Sequence, residues 1–248
     1  MAKIACLRAG LRALSAAAIA GAALAACSPH VKVAPAPDVD WPYYGADAGG
    51  QRYSTAAQVT AANVRGLKLA WSYSTGDASG KGARQRDFAF EDTPILAGGR
   101  LYVCAPFNEV SALDPATGKP LWRFDPGVDP GPHYPNSYVC RGVAYWRDPN
   151  VAAANAPCAA RIFMNSNDRR LFALDAATGR LCAGFGDGGV VDVAKGVTLF
   201  RPGEMQITSP PVVVRGVVVV GSSIDDNQRV KEVSGAVRAY DAVTGQPR

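Results

Sequence analysis

Residues 112–122 read ALDPATGKPLW, and the phrase returns twice: residues 173–180 read ALDAATGR and residues 239–248 read AYDAVTGQPR. Each copy writes alanine, an apolar residue, aspartate, two further residues and then Thr-Gly. The glycines are Gly118, Gly179 and Gly245, spaced 61 and 66 residues apart. An aspartate in that place accepts bonds from the threonine hydroxyl and the following amides, while glycine supplies a positive φ. Trp122 completes the first copy and is placed to pack across the boundary between one unit and the next. Leu69-Ala70-Trp71 opens a unit in the same manner. A strand, a polar turn and a second strand precede each copy. A repeat of this length and content predicts four-stranded blades of a β-propeller.

The segments around the repeats agree. Residues 99–103 (GRLYV) read as a strand after a Gly-Gly turn, and residues 111–114 as a short strand. Residues 161–164 and 170–174 read as two strands joined by the polar turn 165–168. Residues 211–214 and 217–220 flank Arg215-Gly216, a two-residue hairpin signal. Residues 233–240 are expected to close a further strand pair. Only residues 56–64 approach a helical period.

Composition points the same way. With 26 glycines and 18 prolines against only 19% charged residues, the chain suits a turn-rich β protein better than a helical bundle. The net charge is +5, but Lys3, Arg8 and Arg12 lie in the first dozen residues, leaving +2 for the rest. No later basic block appears and aromatic residues are few, so no nucleic-acid partner is expected.

The first 26 residues are an address. A positive start precedes a short, alanine-rich apolar run, which reads as a signal peptide rather than a membrane span. Its ending, Leu24-Ala25-Ala26-Cys27, resembles the bacterial lipobox. That resemblance implies cleavage before Cys27 and a lipid on its sulfur; an ordinary signal peptide cut near the same point is the alternative. Ser28 is not the aspartate that retains lipoproteins in the inner membrane, so the resemblance implies the periplasmic face of the outer membrane. Residues 27–39, rich in proline and alanine, then read as a tether from lipid to domain. The propeller occupies residues 40–248. With Cys6 in the leader and Cys27 lipidated, Cys104, Cys140, Cys158 and Cys182 remain in an oxidising compartment. Disulfides are permitted there, but the spacing leaves their pairing open.

ALDPATGKPLW resembles the tryptophan-docking repeat of the quinoprotein dehydrogenases, which use pyrroloquinoline quinone (PQQ). DWPYYGADAGGQRYS (residues 40–54), CRGVAYW (140–146) and ITSPPVVVRGVVVVGSS (207–223) are similar to further segments of that family. The second copy runs on as LCAGFGDGGVVDV, which looks most like the membrane-type glucose and polyol branch. The adjacent Cys-Cys pair of the alcohol-oxidising branch is absent, since Ala105 follows Cys104.

The resemblance implies an all-β, eight-bladed propeller, of which these residues would form the first three to four blades. It implies PQQ as cofactor with Ca2+ or Mg2+, a sugar or polyol substrate, and a quinone or cytochrome electron acceptor. A tricarboxylate ortho-quinone wants a cationic fork and hydroxyl donors at its rim. The positions that match are Arg141 as the carboxylate clamp, Glu91 as an acidic contact, and Thr208 and Ser223 as hydroxyl donors. Asp226 and Asn227 match the metal ligands, and hard oxygen donors suit either cation. The family's general base, an aspartate assisted by a lysine, is expected beyond residue 248. The complete protein is expected to move electrons from a hydroxyl-bearing carbon to PQQ, and residues 1–248 alone are expected not to turn over. The competing expectation is a non-catalytic outer-membrane lipoprotein scaffold with PQQ-like repeats, which would have no use for Glu91, Arg141, Thr208 and Asp226-Asn227 together.

Overall fold

The computed structural model describes residues 39–76 and 88–248. The expected signal peptide, Cys27 and the tether up to Asp38 lie outside the described residues. Between Val64 and Gly66 runs a single turn of 3-10 helix; every other regular element among the described residues is a strand. In chain order these are β1 (Phe88–Phe90), β2 (Ile95–Ala97), β3 (Arg100–Cys104), β4 (Val110–Leu113) and β5 (Pro120–Phe124), then β6 (Tyr138–Cys140), β7 (Ala144–Arg147), β8 (Ala160–Asn165), β9 (Arg170–Asp175) and β10 (Val190–Asp192), and finally β11 (Met205–Gln206), β12 (Val212–Val214), β13 (Val217–Val220), β14 (Ser223–Ile224) and β15 (Arg238–Asp241).

Two antiparallel four-stranded sheets follow chain order, β2-β3-β4-β5 and β7-β8-β9-β10, and a third runs β12-β13-β15. These are three successive blades. Two short pairs sit between them: β1 with β6 in parallel, and β11 with β14 antiparallel. Side chains of a strand point alternately to the two faces of its sheet, and β8 shows the consequence. Ile162 and Met164 pack into the core shared with the first blade, beside Tyr102, Val110 and Ala112. Phe163 points the other way, into the core shared with Val218, Val220 and Tyr240 of the third blade. The middle blade is therefore buried on both faces, which is why its strands ARIFMN and RLFALD are nearly continuous apolar runs.

The three Asp-Thr-Gly turns are built alike. Asp114 Oδ1 accepts the Ala116 and Thr117 amides and the Thr117 hydroxyl at 2.8–3.0 Å. Asp175 Oδ1 does the same with Ala177 and Thr178 at 2.9–3.0 Å, and Asp241 Oδ1 with Val243 and Thr244 at 2.8–3.0 Å. Gly118, Gly179 and Gly245 take φ of 67°, 71° and 72°, as the repeat requires.

Tryptophan docking follows from these turns. Trp71 donates its indole N–H to the Pro115 carbonyl, and Trp122 donates to the Ala176 carbonyl, both at 3.1 Å. Each ring lies over the glycine of the turn it caps. A Cβ on Gly118 would sit 2.3 Å from the Trp71 ring, and one on Gly179 would sit 2.6 Å from Trp122. The second repeat has no tryptophan, and the junction it would have capped is closed differently. Arg161 Nη1 donates to the Ala242 and Val243 carbonyls at 2.8 Å. Ala242 stands where Pro115 and Ala176 stand, one residue after the aspartate. Gly186 and Val191 fill the place of the ring against Gly245.

Two expectations are corrected. Residues 56–64 form no α-helix: Val59 and Val64 are exposed, and a nine-residue helix with no buried face is not stable alone. The last strand begins at Arg238 rather than near 233, because Val233 turns inward from a loop. The hairpin at Arg215-Gly216 forms as read, with φ of 49° and 76°.

Candidate functional site

In an antiparallel blade the start of the first strand lies beside the end of the second. One edge of the propeller therefore collects the lead-ins to β2, β7 and β12 with the exits of β3, β8 and β13. The lead-ins are Glu91-Asp92-Thr93, Arg141-Gly142 and Thr208-Ser209-Pro210, which are equivalent positions in successive blades.

Direct contacts tie them together. Arg141 Nε meets Glu91 Oε2 at 2.8 Å, with both side chains partly exposed. The Thr93 amide donates to the Arg141 carbonyl at 3.3 Å, continuing the parallel pairing of β1 with β6. Gly142 is buried where the three lead-ins meet. A Cβ there would come within 3.3 Å of the Thr93 carbonyl and 3.6 Å of Pro210. Asn165, leaving β8, donates to the Ser209 carbonyl at 2.7 Å. A disulfide, Cys104–Cys140, joins the exit of β3 to the residue before Arg141. The second disulfide, Cys158–Cys182, lies within the middle blade.

Ser223 belongs to the same edge but ends a different network. Its hydroxyl accepts Asn136 Nδ2 at 2.7 Å. The Asn136 amide donates to Gln206 Oε1, Gln206 Nε2 donates to Asn167 Oδ1, and Asn167 Nδ2 donates to Asn108 Oδ1 at 2.7 Å. Asn108, Asn167 and Gln206 are buried, so this chain of amides staples the three blades beneath the edge. Thr208 is half-buried beside the exposed Ser209.

Asp226 and Asn227 lie in an exposed loop after β14, with Asn227 at φ 60°. Ion pairs anchor the loop on both sides: Arg201 with Asp225, and Arg229 with Glu204. The Arg229 guanidinium also covers the Phe200 ring at 4.1 Å. Among the described residues, no cluster of three or more histidine, cysteine or acidic side chains is arranged to hold a metal.

The sequence reading passed over Asp92, the neighbour of Glu91. Its Oδ2 accepts the Cys104 amide at 3.1 Å, while its Oδ1 is buried without a hydrogen bond. Burial pushes its pKa up to about 7, against the smaller lowering by that amide. Alternation along FAFEDTP gave no signal for it, because Phe90 and Glu91 are adjacent and both exposed; the burial of Asp92 comes from its non-local contact with Cys104.

One edge of the three blades thus carries a carboxylate–guanidinium pair, partly exposed hydroxyls and a disulfide. Residues 41–248 match the family model "PQQ: Glucose/ethanol/alcohol dehydrogenase, beta-propeller domain", and the chain belongs to that family of PQQ-dependent dehydrogenases. It is 41% identical over 207 residues to the glycerol dehydrogenase large subunit of Gluconobacter oxydans, covering 84% of this chain and 28% of that one. It is 36% identical to the quinoprotein glucose dehydrogenase of Escherichia coli, covering 92% of this chain and 29% of the relative. Among solved structures, the quinohemoprotein alcohol dehydrogenase of Comamonas testosteroni superposes with a TM-score of 0.64 at 32% identity, over 84% of this chain and 26% of that one. The chain thus spans under a third of the length of these relatives. No helix among the described residues is long and apolar enough to cross a membrane.

Proposed function

We propose that this chain is part of a PQQ-dependent dehydrogenase that oxidises a sugar or polyol and passes the electrons to a quinone or a cytochrome. The observation that supports this best is the ion pair of Glu91 with Arg141, beside Gly142, where the lead-in that carries Thr208 meets theirs through Pro210. A propeller that served only as a scaffold would gain nothing from a half-exposed guanidinium at that point.

The residues suit the cofactor. Arg141 offers a planar fork for a carboxylate, and its bond to Glu91 fixes the fork's orientation. Thr208 and Ser223 offer hydroxyls; because Ser223 already accepts from Asn136, its proton is free to be donated outward. The Asn108–Asn167–Gln206 network holds that hydroxyl in place without itself reaching the surface. Asp226 and Asn227 would supply two oxygen ligands to Ca2+ or Mg2+, a fraction of the six to eight that calcium takes. When bound, PQQ supplies a quinone that accepts two electrons. We assign no catalytic base among these residues.

Titration of the protein with PQQ, followed by tryptophan fluorescence, tests the reading. Arg141→Ala is expected to weaken binding by about tenfold or more, the loss of a charge-assisted bidentate contact. Equal affinity in the two proteins would overturn it.

The relatives' names include glucose and glycerol dehydrogenases, which favours the sugar and polyol substrate class. We further propose a periplasmic location with a lipid on Cys27. Radiolabelled fatty acid is then expected to mark the chain in cells and to be absent from Cys27→Ser; labelling that persists would refute the anchor.

A further inference from the structure

The opposite edge of the propeller holds a cavity of about 820 Å³ between the first two blades. Three arginines line it: Arg100 at the start of β3, Arg147 at the end of β7 and Arg180 just after the second Asp-Thr-Gly turn. None has a carboxylate partner among the described residues. Arg100 Nη1 bonds only the Gly98 carbonyl at 3.2 Å, and its Nε is buried without a partner. Arg147 reaches only backbone carbonyls, of Val151 at 3.3 Å and Ala154 at 3.5 Å.

The one acidic side chain in the wall makes no ion pair with them and offsets only one of their charges. Asp175 Oδ1 is occupied by the turn described above, and its Oδ2 accepts the Cys158 amide at 2.6 Å. Three guanidiniums and one carboxylate leave a net charge of +2 around a concave space. The Tyr102 hydroxyl is turned away, donating to the Ala176 carbonyl at 3.0 Å, whereas Tyr145 faces the cavity and lies against Gly98. The Cys158–Cys182 disulfide fixes the 148–159 loop that forms the far wall.

We propose that this cavity binds a phosphoryl group. A planar carboxylate is saturated by about two forks, whereas a phosphate presents three acceptor oxygens and close to two negative charges at neutral pH, which matches three guanidiniums with a +2 surplus. The source is either a free phosphate compound or the monoester headgroup of phosphatidic acid in a lipid surface.

The full chain is titrated calorimetrically with inorganic phosphate, and with acetate as a carboxylate control, at constant ionic strength. It is also floated with vesicles of phosphatidic acid in phosphatidylcholine, using phosphatidylcholine alone as the reference for any lipid anchor. Saturable phosphate binding is expected, about tenfold weaker in Arg180→Gln and in Arg147→Gln; both residues are exposed, so unchanged melting temperatures are expected. Phosphatidic-acid-dependent flotation without phosphate binding, lost in both variants, assigns the headgroup as source. Absence of both signals, equal affinity for acetate, or binding untouched by either variant would overturn the proposal. None of these readouts involves PQQ, so the result stands apart from the assignment at the other edge.

Discussion

Asp92→Asn is expected to stabilise the protein at pH 8 and to have almost no effect at pH 4. In the unfolded chain this carboxyl titrates near 3.8, and in the folded one near 7. Between those values the folded state holds a proton that the unfolded state has released. The carboxyl's contribution to stability is therefore intact below about pH 4 and is lost progressively as pH rises toward 7. The full span corresponds to roughly 4 kcal/mol, because each tenfold change in proton affinity is worth about 1.4 kcal/mol. Asparagine keeps the shape and the acceptor for the Cys104 amide but never ionises, so its stability should be flat across the window. Thermal melts from pH 4 to pH 8 are expected to diverge by an amount on the order of 3 kcal/mol at the alkaline end. Parallel curves would mean that Asp92 ionises as freely as an exposed carboxylate. Above pH 7 the native protein would hold an anion beside the Glu91–Arg141 pair, so PQQ affinity should fall across the same range in the parent and not in the variant.

The repeat, its turns and the docking of Trp122 were legible because each rests on local chemistry. Asp, Thr and Gly at fixed spacing can make one turn and few others, and a tryptophan eight residues after the aspartate reaches the next blade. The hairpins at residues 98–99 and 215–216 were legible for the same reason. What escaped was non-local. The cysteine pairing joins residues 36 and 24 positions apart, and four cysteines admit three pairings. Arg161 and the carbonyls it caps lie 81 and 82 residues apart, so nothing in the neighbourhood of LCAGFG could announce its substitute. Residues 56–64 misled because a helical period counts only where a partner surface buries it. Of the site, the lead-in positions could be placed from the family's motifs, but the bond between Glu91 and Arg141 required the parallel register of β1 with β6.

The junction between the first two blades offers the second large effect. Trp122→Ala is expected to cost about 3 kcal/mol, since it removes a half-buried ring from the inter-blade core and the bond to Ala176. Gly179→Ala is expected to cost a similar amount for two separable reasons: a left-handed backbone that alanine resists by about 1–2 kcal/mol, and a methyl group 2.6 Å from the ring above it. The double variant distinguishes them. With the ring gone, the methyl has room, so only the backbone cost should remain and the two substitutions should fall short of additivity by about 1–2 kcal/mol in urea melts. Full additivity would show that the ring does not rest on the glycine. The next junction provides the contrast. There Arg161 makes the polar contact and Val191 the apolar one, so Arg161→Met should leave two carbonyls without their donor at about 2 kcal/mol, yet Gly245→Ala should show no coupling to it, because the arginine does not lie over that glycine. One repeat can thus close its blades by a single residue or by two that divide its roles, and only the first arrangement makes glycine and tryptophan energetically inseparable.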